Sequence, residues 1–387
     1  MSLELEIDNL DIKETRKYAE IENPPFSQIK PDIDEIKASA EEVDCQSLVV
    51  IGNGGSITSF RALYYSFIDE VDIDVHLVTT QEPDYLRRVV SATDSENTLV
   101  MPISKSGNTT SVLESLLYFI KRDYPVFAVT SDNNGALKNI VERKGYNWIE
   151  HKDVGGRFSG LTETALMPAA ICGIDIEEVR AGGEEIYQKF NKSPNAAWKL
   201  AEAFHSAERE GFDQILTPFY TTRLFGFYPL TVQLMHETVC KEGEGQSVFG
   251  DLGPEYQHHT NQRLFGGEED IIPFFIRSKA HEKERLDVPE DLTDIDLRGR
   301  DLGDLDGESY GFAVDSEFRG VELALDEEER PYSVLSINSV GYRSVGRLMA
   351  FLQYLAVYSA EIRDVDPYSQ PDVEKSKKMG FKRRFDR

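Results

Sequence analysis

Five short apolar runs punctuate the first 150 residues: "SLVVIG" (47–52), "DVHLVTT" (74–80), "NTLVMPIS" (97–104), "PVFAVTS" (125–131) and "YNWIE" (146–150). The segments between them have helical length, as in "FRALYYSFIDEV". Strands separated by helices cannot pair through tight hairpins, so successive strands run parallel beneath covering helices. This rhythm predicts an α/β chain whose first half, residues 45–180, is an αβα sandwich around a central parallel sheet.

The second half, residues 195–363, repeats the plan less plainly. "DQILTPFY" (213–220), "DIIPFFIR" (270–277) and "PYSVLSINSV" (331–340) read as strands, and "RLFGFYPLTVQLMHETVCK" (223–241) reads as a long amphipathic helix. The helix "YRSVGRLMAFLQYLAVYSAEI" (342–362) is apolar around much of its girth, so it is expected to be buried. Residues 1–44 are expected to be a helical segment, on the helix-like spacing of 12–43 and the Pro31–Asp32 start of "KPDIDEIKASAEEV". The acidic stretch 282–309 reads as a loop or insertion, and 364–387 as a basic tail.

Charge restricts the partners. With 42 basic and 69 acidic residues the net charge is −27, which repels nucleic acid and anionic membranes. Saline-adapted and ordinary acidic proteins both reach such values, and the sequence leaves that choice open. No apolar run approaches the roughly 18 residues of a membrane span, and the acidic start lacks a signal-peptide layout. Cys45, Cys172 and Cys240 are odd in number and widely spaced, which suits a reducing, cytoplasmic setting and no thiolate metal site. No nucleotide or flavin fingerprint occurs, so neither cofactor nor metal is expected. An anionic ligand would need a local positive or amide-lined pocket set against the global field.

Two strand ends offer one. "GNGGS" (52–56) and "SKSGNTT" (104–110) each follow a strand and precede a helix. A helix start presents free N–H groups and a positive dipole end, and the hydroxyls of Ser104, Ser106, Thr109 and Thr110 add donors. A single turn of this kind is most often a plain N-cap. Two of them at neighbouring strand ends of one parallel sheet point to a ligand site.

Together "IGNGGS" and "SKSGNTT" resemble the sugar-isomerase domain of phosphosugar enzymes and sensors. Four further stretches are similar to glucose-6-phosphate isomerases, archaeal-type members included: "DVGGRFSGLT" (153–162), "QLMHETVCK" (233–241), "GPEYQHHTNQRLFGG" (253–267) and "DPYSQPDVEKSK" (366–377). They occur in the family's order along nearly the whole chain. Asp372 stands where that family carries glycine, and Tyr256 where a smaller residue is commoner.

The resemblance implies two sugar-isomerase domains and the reversible conversion of D-glucose 6-phosphate to D-fructose 6-phosphate through a cis-enediol. It assigns Glu237 as the base, His258 and Lys377 to ring opening, and Arg157 to the enediolate oxygens. It gives the sugar and its phosphate to Gly55, Ser56, Ser104, Lys105, Ser106, Thr109, Gln233 and Gln370. His258 would come from the neighbouring subunit, so a homodimer is implied. Spacing alone reads more blandly. Glu237 and Lys241 suit a surface i,i+4 pair, Lys377 suits a solvated tail charge, and His258 suits a loop histidine. Arg157 is equally well a structural ion pair, and Lys105 a solvated charge. Two alternatives accompany the isomerase: a dual phosphoglucose/phosphomannose isomerase, and a phosphosugar-binding regulator without chemistry.

Overall fold

Continuous apolar runs become strands here because both faces of the sheet carry a hydrophobic layer. In the computed structural model, residues 3–13, 18, 21–189, 192 and 194–386 are described. Strands β2 (Ser47–Ile51) and β4 (Thr98–Ser104) are buried at every position. With β3 (Asp74–Val78), β5 (Phe127–Thr130) and β6 (Asn147–Glu150) they form an all-parallel sheet in the order β3-β2-β4-β5-β6. Alternation along β2 divides the layers. Leu48 and Val50 join one core with Phe60 and Leu63 of α2 (Thr58–Ser66). Val49 and Ile51 join the other with Val89 of α3 (Pro83–Ala92), Leu116 of α4 (Thr110–Ile120) and Val141 of α5 (Ala136–Lys144).

The second sheet has the order β1-β12-β9-β7-β8. Strands β7 (Gln214–Phe219), β8 (Ser247–Leu252), β9 (Ile271–Ser278) and β12 (Tyr332–Ile337) are mutually parallel. The edge strand β1 (Leu3–Asp8) pairs antiparallel with β12, from Leu3 opposite Ile337 to Asp8 opposite Tyr332. This sheet is therefore mixed rather than wholly parallel. Its helices are α8 (Ala196–Arg209), α9 (Tyr228–Val239), α10 (Thr260–Gly266), α11 (Tyr310–Glu327) and α12 (Tyr342–Ile362). As expected, α12 is buried along most of its length.

Helices α6 (Glu163–Ile171) and α7 (Ile176–Tyr187) join the halves, and one hydrophobic cluster runs from Leu48 through Leu234 to Tyr354. Contact between α7 and α12 is close enough that a Cβ on Gly346 would lie 1.8 Å from the Val179 carbonyl oxygen. The expected limit at residue 180 thus falls inside α7. The basic tail ends in α13 (Val373–Phe385).

Three local expectations change. The N-terminal segment is not helical throughout: β1 occupies 3–8, and among the described residues of the region α1 (Ile33–Glu41) is the α-helix, capped by Asp32 Oδ1 accepting from Glu35 N at 2.9 Å. Part of the helix-like stretch, 14–17 and 19–20, lies outside the described residues. The helix expected from 223 begins as 3-10 turns at 222–227 and becomes α-helical at Tyr228, where Pro229 fits the first turn. The acidic insertion holds a small hairpin, β10 (Asp296–Leu297) with β11 (Arg300–Asp301). Among the described residues no helix is long and apolar enough to cross a membrane.

Candidate active site

The carboxyl ends of β2 and β4 open into a cavity of about 1450 Å³ that the second half closes. One wall is the Gly54–Ser56 turn after β2, and beside it Ser106, Asn108 and Thr109 lead into α4. Gly107 takes φ +68°, the left-handed region, which lets the chain double back before the helix. Thr109 is the N-cap residue of α4 but makes no side-chain cap. The first amides of α4, with the Thr110 and Ser111 hydroxyls, therefore face a cavity suited to an anion. Asn53 Nδ2 donates to Ser111 Oγ at 2.9 Å and locks the two turns together.

The opposite wall comes from α9, α13 and the "GGRFS" turn. Gln233, Glu237, Gln370, Lys377 and Arg157 all line the same cavity as the hydroxyl-rich turn. A Cβ on Gly55 would stand 2.0 Å from the Gly156 carbonyl carbon, so the first turn and the arginine turn touch backbone to backbone. Each Glu237 oxygen has its own donor: Gln233 Nε2 at 3.1 Å on Oε1, and Arg157 Nη1 at 3.5 Å on Oε2. The Glu237 side chain is 20% exposed, enough to meet a ligand and little enough to keep water sparse.

Arg157 is 1% exposed and fully engaged. Its Nε donates to Thr238 Oγ1 at 2.8 Å, and Nη2 donates to the Pro367 and Ser369 carbonyls at 2.7 and 3.3 Å. Nη1 reaches Gln370 Oε1 as well as Glu237. Every donor of the fork is thus in use, and the arginine is an anchor for residues 367–370 as much as a charge in the cavity. Burial presses the guanidinium below its ordinary range, opposed by Glu237 and Asp366. Lys241 is lowered for the same first reason, with Arg157 adding to the effect; it donates to the Thr238 carbonyl at 3.0 Å and to that of Asp366.

Ten of the residues singled out in the sequence line this cavity: Gly55, Ser56, Lys105, Ser106, Thr109, Arg157, Gln233, Glu237, Gln370 and Lys377. Two do not. Ser104 is 3% exposed at the end of β4, shares a hydrogen bond with Thr109 Oγ1 at 2.9 Å, and so holds the turn from beneath. His258 lies with Gln257, Gln262 and Phe265 around a separate surface pocket of about 480 Å³. Its neighbour His259 is committed to Thr260 Oγ1 at 2.7 Å and faces Asp251 at 3.7 Å. Lys105 pairs with Asp153 at 2.7 Å, which holds that carboxyl below its usual range. Lys377 is paired with Glu374 at 2.9 Å on the mouth side. Sequence reasoning passed over Asn53, Asn108 and Ser111; the last extends the hydroxyl run by one position and was within reach of the same logic.

Two αβα halves around parallel strands, with a hydroxyl-lined cavity between them, define the class: the sugar-isomerase fold of phosphosugar isomerases. No protein-family model matches the chain. A hypothetical protein from Thermus thermophilus superposes with a TM-score of 0.85 at 26% identity, covering 93% of this chain and 89% of that one. A glucose-6-phosphate isomerase from Chlamydia trachomatis shares the fold, with a TM-score of 0.73 at 21% identity over 90% of this chain and 72% of its own. A probable glucose-6-phosphate isomerase of Haloarcula marismortui is 27% identical over 348 residues, 87% of this chain and 78% of its own. In particular, the chain is similar along most of its length to glucose-6-phosphate isomerases, among them one of Methanocaldococcus jannaschii that is 26% identical over 344 residues, 86% of this chain and 83% of its own.

Proposed function

We propose that this chain is a glucose-6-phosphate isomerase that interconverts D-glucose 6-phosphate and D-fructose 6-phosphate without a cofactor. The observation that carries the reading is a single cavity that receives both the Glu237 carboxylate and the hydroxyl-lined start of α4. The phosphate sits on Ser106, Thr109 and the first amides of α4, while Ser104 supports Thr109 from below. That placement fixes the far end of the sugar, so C1 and C2 lie toward α9.

Glu237 then takes the proton from C2 of the open-chain aldose to give the enediolate, the O2 hydroxyl proton passes to O1, and Glu237 returns its proton to C1 as the carbonyl forms at C2. Arg157 keeps positive charge beside the developing oxyanion, and Gln370 gives way so that one Nη1 donor can turn to it. Lys377 and His258 serve ring opening. His258 reaches the cavity from a second copy of the chain, a reading supported by its exposure and by its place at a separate surface pocket of its own chain. The working form is thus a homodimer. Three free cysteines fit the reducing cytoplasm.

A coupled dehydrogenase assay that starts from fructose 6-phosphate, repeated across salt concentrations, tests the reading. Glucose 6-phosphate formation is expected; a chain that binds the sugar phosphate yet never turns it over is a regulator instead. Mannose 6-phosphate in the same assay measures the breadth of the substrate range.

A further inference from the structure

Gln233 holds one oxygen of Glu237, and Thr58 holds Gln233. The Thr58 hydroxyl donates to Gln233 Oε1 at 2.9 Å, and Gln233 Nε2 donates to Glu237 Oε1 at 3.1 Å. The direction follows from chemistry: a carboxylate oxygen only accepts, so the amide must turn Nε2 to it and leave Oε1 for the hydroxyl. Thr58 is 9% exposed at the first position of α2. Gly54, at φ +54°, packs so close that a Cβ there would lie 2.9 Å from Gln233 Nε2, which keeps the amide from swinging away. Gly54–Ser56 therefore line the ligand cavity, and Thr58, two residues on, sets the position of a carboxylate borne by the other half.

We infer that Thr58 is a positioning residue for the isomerisation: through the Gln233 amide it fixes the Glu237 carboxylate in the orientation that takes the proton from C2. This rests on the isomerase reading above. A hydroxyl suits the task because it can donate or accept. When Glu237 carries the substrate proton, the amide can turn over, with the Glu237 O–H donating to Oε1 and Nε2 donating to Thr58 Oγ1. Both protonation states of the base then keep a paired chain of hydrogen bonds. The other charged groups that face Glu237 are Arg157 on the "GGRFS" turn and Lys241 one helical turn on; Lys377 stands elsewhere on the cavity wall. These charges attract the carboxylate without fixing its angle, and Thr58 adds the alignment that charges alone do not give.

The test is steady-state isomerisation of fructose 6-phosphate by the full chain, comparing wild type, Thr58→Val, Thr58→Ala, Thr58→Ser, Gln233→Leu and Gln233→Leu with Thr58→Val. Valine or alanine should lower kcat about three- to tenfold, the size of one net hydrogen bond, with KM within about twofold. Serine should restore kcat, and valine should cost nothing further once Gln233 is gone. Wild-type kcat in the valine and alanine variants, a KM that rises in step with the loss of kcat, a serine variant no better than alanine, or additive losses in the double variant would overturn the inference. A wild-type chain inert toward fructose 6-phosphate overturns the isomerase reading instead, so the two failures are told apart.

Discussion

Arg157→Ala is the most informative single deletion, because the arginine joins the chemistry to the fold. The deletion strips donors from Thr238 Oγ1 and the Pro367 carbonyl, bonded at 2.8 and 2.7 Å, and both residues are buried. A buried acceptor left unpaired costs about 1–3 kcal/mol, so the pair costs about 2–6 kcal/mol. Water entering from the adjoining cavity offsets part of this, leaving about 2–4 kcal/mol out of a usual total of roughly 5–15 kcal/mol. The segment 367–370 loses its tether at the same time, so it should open before the rest of the chain unfolds. Urea unfolding followed by far-UV circular dichroism measures the first effect, and limited proteolysis with mass analysis of the C-terminal fragments measures the second. A lower midpoint with early cleavage near 364–372 is expected. Stability within about 0.5 kcal/mol of wild type, together with an equally protected tail, would refute the anchoring role.

Gly55→Ala should drive the first turn from Gly156, because its Cβ would meet the Gly156 carbonyl carbon at 2.0 Å. Expected are a loss of about 1–3 kcal/mol and a raised KM for fructose 6-phosphate; a thermal melt and KM equal to wild type contradict the contact. Protonation of buried histidines should also weaken the fold. Burial pushes His76, His151, His205 and His236 below their ordinary 6.5, and His236 Nε2 accepts from Val248 N at 2.8 Å only while neutral. Below pH 6.5 the unfolded chain therefore binds more protons than the folded one, so stability is complete above 6.5 and falls as pH drops beneath it. Urea midpoints at pH 7.5 and 5.5, taken in roughly 1 M salt to screen the net negative charge, should show the decline; a level or rising midpoint speaks against it.

Much of this architecture was legible because its signals are local. Continuous β-branched runs marked β2, β4, β5, β7, β9 and β12, and the apolar girth of α12 announced its burial. Strand β1 was hidden because "LELEID" alternates in a short acidic terminus whose partner lies over 300 residues away, at Tyr332–Ile337. β8 was hidden because "SVFGDL" is half exposed at the sheet edge and broken by Gly250. At the site, hydroxyls and glycines at helix starts could be read directly, whereas pairings between halves could not. Nothing near Thr58 in the sequence points to Gln233, and nothing in "GGRFS" says that Arg157 will be saturated by residues 367–370. His258 illustrates the converse. Its motif was readable, yet the fold of one chain leaves it at a separate pocket with Gln257 and Gln262, because the packing of β8 and α10 rather than the local pattern sets where that turn lies.

The proposed isomerisation requires one group, Glu237, to move one proton between C2 and C1. Solvent-deuterium incorporation at C1 of fructose 6-phosphate, followed by NMR, reads that transfer without a coupling enzyme, and Glu237→Gln is the decisive comparison. Wild type should label C1 steadily, while the glutamine variant should lose about a hundredfold or more in labelling and still bind the sugar phosphate. Labelling at an undiminished rate in the variant would mean that another group carries the proton and that the central assignment is wrong.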